Sequence, residues 1–382
     1  MIDLKKVVFV LSHLPNPRII KRIDSLINDY RITVIFWNRN SFEQKFLLHK
    51  NVDVIQIKVD APMGKPFKRI LPLISFRKHL NIYLNKIKPD LLHIANLDML
   101  ISSRKFYKNN KHVRIIYEIG DLGKYVFSED EPVLVRIIYK SIAYFEKITL
   151  KKYVSFLILA SEFFWDEYYS KIYQKENYLT FPNVPRKSLF EKYSKKDHEI
   201  FTIGFIGSVR YFEEIKALID VIKELDFDAQ IMIAGTGPSY DAVNKYITEN
   251  NLLNVEMYGA YEYSNEIVKL YEKIDLVYSV YNSSLANVKY AFPNRLYEAI
   301  NAELPILVAH GTSLSNFVKE KGIGLSVKSR DLKDLKAAIT SMVKNKQQYQ
   351  KFVENTKKIK FKYQYEHYDE VILKIYRSVL SK

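Results

Sequence analysis

Short apolar runs recur along the chain, and each is followed by an amphipathic stretch. In the first half the runs are Val7–Leu11, Ile32–Trp37, Val52–Val59, Leu91–Ala95, Arg114–Glu118 and Phe156–Ala160. In the second half they are Thr202–Ile206, Gln230–Ala234, Val255–Tyr258, Leu276–Ser279, Ile306–Ala309 and Gly324–Val327. Apolar runs of about four to eight residues between helical patterns predict strands buried on both faces of a parallel sheet. Helical spacing lies between them: Ile215, Leu218, Ile219, Ile222 and Leu225 fall on one face. Near the end Val371, Ile372, Ile375, Tyr376 and Val379 share a face, so the last helix packs on something. Strand–helix alternation through both halves predicts an α/β protein with one parallel sheet in each half. Phe181-Pro182-Asn183-Val184-Pro185, followed by the charged stretch Arg186 to His198, reads as the linker between them. No repeat at solenoid periods is visible.

The length of 382 residues agrees with two domains. With 48% hydrophobic and 27% charged residues, disordered and collagen-like chains are excluded. Cysteine is absent, which excludes disulfides, thiolate catalysis and Cys-ligated zinc. The eight histidines show no paired ligand spacing, so no metal site is expected. The apolar runs are all far shorter than the roughly 20 residues of a membrane span. Val7–Leu11 is too short for a signal peptide core, and Asn16-Pro17-Arg18 stands where small residues would be needed, so it reads as a buried first strand. The net charge of +16 points to an anionic partner: nucleotide phosphates, an acidic membrane surface or nucleic acid.

In open parallel sheets ligands bind beyond the carboxyl ends of the strands. Four such places in the second half carry suitable residues. Gly204-Phe205-Ile206-Gly207-Ser208-Val209-Arg210 ends a strand on glycine, which admits a ligand to the backbone, and Arg210 then offers a fork of donors for a diphosphate; Lys216 follows six residues on. A tight turn with two solvated cations is the plain alternative. Ile233-Ala234-Gly235-Thr236-Gly237-Pro238 ends a strand in Gly-x-Gly, where backbone N–H groups can hold a phosphate, although a simple strand–helix turn reads the same. Ala309-His310-Gly311-Thr312-Ser313 is a third turn of this kind. The fourth runs Ala291-Phe292-Pro293-Asn294-Arg295-Leu296-Tyr297-Glu298-Ala299-Ile300. Pro293 can open a helix, with Leu296, Ala299 and Ile300 facing the core. Glu298 then sits near the sheet, where an unpaired carboxylate costs several kcal/mol, roughly. It needs donors, from sugar hydroxyls or from a neighbouring cation.

This segment, Asn-Arg-Leu-Tyr-Glu-Ala-Ile-Asn-Ala-Glu-Leu-Pro-Ile-Leu-Val, resembles the nucleotide-sugar helix of the GT-B glycosyltransferases, specifically retaining family 4. The resemblance extends along most of the chain. Phe181-Pro182-Asn183-Val184 is similar to the segment before that family's linker, Gly207 to Lys216 to its diphosphate loop, and Gly235-Thr236-Gly237-Pro238 and Gly322-Ile323-Gly324-Leu325 to further runs in the same order. The resemblance implies two Rossmann-like domains facing a cleft: residues 1–185 for the acceptor, 186–362 for the nucleotide sugar, and a helix over 363–382 crossing back to the first. It implies Arg210 and Lys216 as the cations on the leaving diphosphate, Glu298 on the ribose hydroxyls, and Gly207, Ser208, Gly235, Gly237, Pro293, Asn294, Arg295 and Leu296 around the donor. It implies no metal, since cations replace one electrostatically.

The chain departs from the family pattern in three places. The family pairs two glutamates seven residues apart, but Tyr290 stands eight before Glu298. A family histidine at the first domain's cleft edge is replaced by Gly120 in Tyr117-Glu118-Ile119-Gly120-Asp121-Leu122, which leaves Glu118 or Asp121 to line the cleft, Asp121 as a candidate catalytic group. The glycine-rich loop after the first strand is replaced by Ser12-His13-Leu14-Pro15, so His13 and Asn16 join Glu118 as acceptor-side candidates.

Asp226-Phe227-Asp228 mimics a metal-binding pair but precedes its strand, so it reads as a solvated loop. Two basic stretches lack acids: Lys65, Lys68, Arg69, Arg77 and Lys78, interleaved with Phe67, Ile70, Leu71, Ile74 and Phe76, and Arg104, Lys105, Lys108, Lys111 and Arg114. Cations with apolar neighbours suit an anionic membrane surface; a solvated lysine-rich face is the alternative. No nucleic-acid motif appears, and none is expected as a partner. The expected protein is a metal-independent, retaining glycosyltransferase without cofactor. It would move a sugar from a nucleotide donor to a glycan or lipid-linked acceptor in cell-surface polysaccharide synthesis, at the cytoplasmic face of the membrane. The rival readings are a non-catalytic GT-B scaffold or partner-binding subunit and, within the same fold, a nucleotide-sugar epimerase.

Overall fold

The structure is a computed structural model that describes residues 4–39, 49–61, 70–127, 131–173 and 176–381. The chain divides into two compact units. The first comprises Met1–Pro182 with His367–Lys382, and the second Asn183–Glu366.

The first unit is built on a seven-stranded sheet: β1 (Lys6–Leu11), β2 (Arg31–Asn38), β3 (Asp53–Lys58), β4 (Leu91–Ala95), β5 (Arg114–Ile119), β6 (Phe156–Leu159) and β7 (Tyr178–Thr180). Its order is β3-β2-β1-β4-β5-β6-β7, with every pair parallel. The second unit carries a six-stranded parallel sheet of β8 (Phe201–Ile206), β9 (Ala229–Ala234), β10 (Val255–Gly259), β11 (Leu276–Ser279), β12 (Ile306–Ala309) and β13 (Gly324–Val327), ordered β10-β9-β8-β11-β12-β13. Both sheets follow the doubly wound order in which the chain reverses direction between its first and fourth strands, and ligands bind at that reversal. Two points therefore matter: the tips of β1 and β4, and the tips of β8 and β11.

The apolar runs become strands because they are buried on both faces. Val7 to Val10 are fully buried, as are Leu276, Val277 and Ile306 to Val308. Each sheet has its own core. The twelve strands expected from the sequence are all present. A thirteenth, β7, is three residues long at the sheet edge, in a stretch too short to produce a periodic signal. Of the helical face read over 215–225, the helix Phe212–Lys223 buries Ile215, Leu218, Ile219 and Ile222, while Leu225 lies beyond its end. The final helix, Glu366–Leu380, buries Ile372, Ile375, Tyr376 and Val379. Its Tyr376 hydroxyl meets His93 on β4, and its Arg377 pairs with Asp29 at 2.6 Å.

Candidate active site

At the carboxyl end of the second sheet two glycine turns are zipped together by backbone hydrogen bonds. The Gly207 N–H donates to Ala234 O at 2.8 Å, Val209 N to Thr236 O at 3.1 Å and Ser239 N to Val209 O at 3.0 Å. Gly207 has φ +125° and Gly235 φ +123°, conformations closed to L side chains. A Cβ on Gly235 would overlap the Gly207 carbonyl oxygen, and one on Gly237 would press into the Val209 backbone. Glycine is there because two turns touch, a contact the Gly-x-Gly pattern alone does not announce.

Arg295 completes this tip. It lies one residue into the helix Asn294–Asn301, is nearly fully buried, and stacks its guanidinium 4.1 Å above the Phe205 ring and 5.3 Å from Tyr281. Its Nη1 donates to Tyr278 O at 3.1 Å, and its Nη2 lies under Gly207. Gly207, Ser208 and Arg295 thus meet at the β8–β11 reversal, with Gly235 and Gly237 packed against them from the tip of β9. Arg210 is exposed beside them, its Nε donating to Ser208 Oγ at 3.0 Å. Tyr281 belongs to the same tip and was not singled out in the sequence, because an aromatic after a strand carries no signal of its own.

Other candidates lie elsewhere in the unit or are already engaged. The Lys216 ammonium bonds Asp220 one turn along its own helix at 2.6 Å and sits over the Tyr246 ring; that hydrogen bond, foremost, raises its pKa. Pro293 is the cap residue before the helix, Leu296 faces the core, and the Asn294 side chain accepts from Asn183 at 2.8 Å. Glu298 is buried, as expected, and two phenols reach it: Tyr263 donates to Oε1 at 2.8 Å and Tyr271 to Oε2 at 2.9 Å. Burial first, then the adjacent Glu298 charge, pushes both phenols well above their ordinary pKa. No sequence signal links these tyrosines to Glu298, since they come from a separate helix, Tyr263–Tyr271.

In the first unit Glu118 requires a correction. The sequence reading placed it at a cleft edge; it is instead wholly buried at the end of β5. Arg18 Nε stands 3.0 Å from Oε1, His93 Nε2 2.9 Å and Arg22 Nε 3.5 Å from Oε2. Burial alone would raise its pKa, but Arg22 and Arg18 pull it well below the carboxylate range. Burial lowers the pKa of His93 against the opposing pull of Glu118, favouring a neutral ring. The physical reason is the sheet order, which sets β5 beside β4 and brings the helix after β1 within reach. Asn16 is the N-cap of that helix, Pro17–Leu26, accepting from Ile19 N at 3.1 Å. His13 is exposed, with its Nδ1 2.7 Å from Leu14 O, and Asp121 is exposed just beyond β5. Asp226 is bonded by Lys344 at 2.7 Å. Among the described residues no group of three or more His, Cys, Asp or Glu is arranged to hold a metal ion, and no helix is long and apolar enough to cross a membrane.

Two Rossmann-like parallel-sheet units, the second with a glycine-lined reversal point flanked by arginines, define a protein of the GT-B class. Residues 186–359, most of the second unit, match the family model of the group 1 glycosyl transferases. The chain is 21% identical over 364 residues to the succinoglycan biosynthesis protein ExoL of Rhizobium meliloti, covering 89% of this chain and 85% of that one. Among solved structures it is similar to a sucrose-phosphate synthase from Thermosynechococcus elongatus (TM-score 0.76, 13% identity, 99% of each chain). It is also similar to Anabaena HepE in complex with UDP-glucose (TM-score 0.70, 14% identity, 98% of this chain and 99% of that one). At such identities the likeness to solved structures concerns the fold.

Proposed function

We propose that the protein transfers a sugar, with retention of configuration and without a metal, from a nucleotide-sugar donor to a glycan or lipid-linked acceptor in cell-surface polysaccharide synthesis. The observation that carries this reading is the pair of zipped glycine turns at the tips of β8 and β9, with Arg210 exposed beside them and Arg295 beneath at the β8–β11 reversal. Backbone N–H groups and a guanidinium fork there suit a diphosphate. The HepE complex with UDP-glucose supports a nucleotide-sugar donor, and the name of the ExoL relative supports a polysaccharide product. The acceptor is assigned to the first unit, with Asp121 as the candidate group near the reacting hydroxyl. Retention is tested by the anomeric configuration of the product, and metal independence by turnover that survives a chelator.

Arg210→Ala should weaken nucleoside diphosphate binding by about 1.5–3 kcal/mol, the range of a charged hydrogen bond. Lys216→Ala should weaken it less, because Lys216 must first leave Asp220. Equal, negligible effects of both in a calorimetric titration would remove the diphosphate from this tip. For Glu298 the proposed ribose contact predicts that Glu298→Gln weakens nucleotide binding without lowering the melting point of the free protein. A large loss of stability with unchanged affinity would assign the carboxylate to the Tyr263–Tyr271 anchor alone.

We also infer that the first unit docks on an anionic membrane surface at the cytoplasmic face. Lys65, Lys68 and Arg69 lie outside the described residues. Arg77 and exposed Lys78 share the helix Ile70–Ile87 with Leu71 and Ile74, which are 77% and 54% exposed. A second helix, Val133–Tyr153, supports the same reading. It exposes Val133, Leu134, Ile137 and Ile138 beside Arg136 and Lys140, and its sole acid, Glu146, is buried. Arg104 of the other basic stretch lies 5.2 Å over its Phe145 ring. Each cation near lipid contributes about 1 kcal/mol. Sedimentation with vesicles should rise with anionic lipid and fall with salt, and Leu134→Glu with Ile138→Glu should abolish it; indifference to lipid charge would refute the docking.

A further inference from the structure

At the amino end of the first sheet, the edge opposite the β1–β4 reversal, a cavity of about 460 Å³ lies where β5 and β6 begin. That volume falls within the roughly 300–1,000 Å³ of small-ligand sites. Four separate parts of the unit wall it. The helix Arg104–Asn109 contributes Tyr107, and the end of the helix Val133–Tyr153 contributes Lys152 and Tyr153. The strand starts contribute Arg114 and Phe156, and the last helix Ser378.

Three cations, Lys111, Arg114 and Lys152, stand in this wall, and no acid does. None of the three has a carboxylate partner among the described residues. The basic hollow around Lys333 to Lys346 differs, because there Lys336 and Lys344 reach Glu224 and Asp226. Asp90, whose carbonyl accepts from Arg114 N at 3.0 Å, gives its carboxylate to Lys5 Nζ and Lys6 N instead. Charges of one sign on a concave, low-dielectric wall focus their field and draw in a counter-ion. The wall also suits more than a bare charge. Tyr107 and Tyr153 pack as a tilted pair 5.0 Å apart, with Lys152 Nζ 5.5 Å from the Tyr153 ring and Phe156 half-buried nearby. Ser155 Oγ, in the same wall, accepts from Ile115 N at 3.3 Å and keeps its hydroxyl hydrogen to donate.

We propose that this cavity binds a phosphate-bearing small molecule, with Lys111, Arg114 and Lys152 on the phosphate and the Tyr153–Phe156 side as its apolar wall. A guanidinium fork beside two ammonium groups matches the several oxygens of a phosphate. Strand β5 has six residues, about 17 Å at 3.3 Å per residue, so the occupant sits a strand length from the carboxyl tips where reactants bind in such sheets. It is therefore a ligand that the reaction does not consume, held between the sheet and the last helix.

The test is calorimetric titration of the whole protein with inorganic pyrophosphate at low salt, in an Arg210→Ala background that removes the second unit's proposed phosphate contact. Lys111→Gln, Arg114→Gln and Lys152→Gln combined should weaken the remaining pyrophosphate site about tenfold or more, the lower bound for a charged hydrogen bond. All three side chains lack an ion pair to lose, so the fold should survive, which circular dichroism checks. The control removes the same charge from exposed Lys88, Lys151 and Lys171, which stand outside the cavity, and should leave the affinity unchanged. Pyrophosphate binding that survives the cavity variant overturns the proposal. So does an equal loss in the control, which would assign binding to diffuse surface charge, and so does the lack of any pyrophosphate binding in the Arg210→Ala background. None of these outcomes touches the donor reading, which nucleoside diphosphate binding by the Arg210 protein tests separately. Adenosine monophosphate distinguishes the source of the phosphate. Tighter cavity-dependent binding than inorganic phosphate supports a nucleotide resting on the aromatic wall, and equal binding supports free phosphate.

Discussion

Replacing Glu118 with glutamine should destabilise the first unit by about 3–5 kcal/mol, the cost of leaving buried charge uncompensated. Arg22, fully buried, would keep its charge and lose the carboxylate, and the His93–Tyr376 contact that ties the last helix to β4 would lose its other anchor. Chemical denaturation followed by circular dichroism reads the loss. A shift below about 1 kcal/mol would mean that the arginines relax into solvent. The pH dependence has a definite sign. Glu118 has a depressed folded pKa, so its stabilisation is present above its ordinary value of 4.5 and is lost as pH falls toward the folded value. His93, also depressed, acts in the same direction from about pH 6.5 downward.

Glu146 titrates in the opposite sense. It is buried in the helix Val133–Tyr153 and accepts from four phenols, Tyr117 and Tyr169 at 3.0 Å, Tyr125 at 2.8 Å and Tyr168 at 3.1 Å. Burial raises its pKa despite those bonds. Its contribution is present below pH 4.5 and is lost as pH rises through the raised value. Glu118→Gln should therefore flatten the fall in stability below pH 4.5, and Glu146→Gln the fall as pH rises above it.

Gly235→Ala should weaken nucleotide binding at least a hundredfold, about 2.8 kcal/mol at 1.4 kcal/mol per decade. The alanine methyl meets a backbone oxygen, Gly207 O, which cannot rotate away, and φ +123° is closed to alanine. One or both turns must move, and the zipped hydrogen bonds that form the site move with them. Gly311→Ala is the matched control. It also has positive φ, +76°, but its Cβ would enter open space, so only about 1–2 kcal/mol of backbone strain is expected. Calorimetry with a nucleoside diphosphate separates the two. Equal affinities in both variants would show that contact between the turns is dispensable for binding.

The sequence by itself determined the α/β class, twelve of the strands and the glycine turns at the second unit's strand tips. These are local properties: a strand buried on both faces must be a continuous apolar run, and a positive φ at a strand end favours glycine whatever surrounds it. It also marked Arg295 and Glu298 within one helical segment. What surrounds those side chains depended on the tertiary structure, because sheet order makes neighbours of residues far apart in the chain. β4 beside β5 turned Glu118 from an expected cleft carboxylate into the buried partner of Arg18, Arg22 and His93. A separate helix supplied the tyrosines of Glu298, and the helix after β1 laid Arg18 in the space left by Gly120. The same net charge of +16 would accompany many arrangements of these groups. Only packing fixed which cations are neutralised inside and which stay exposed, since desolvation and pairing depend on distances that no spacing along the chain encodes.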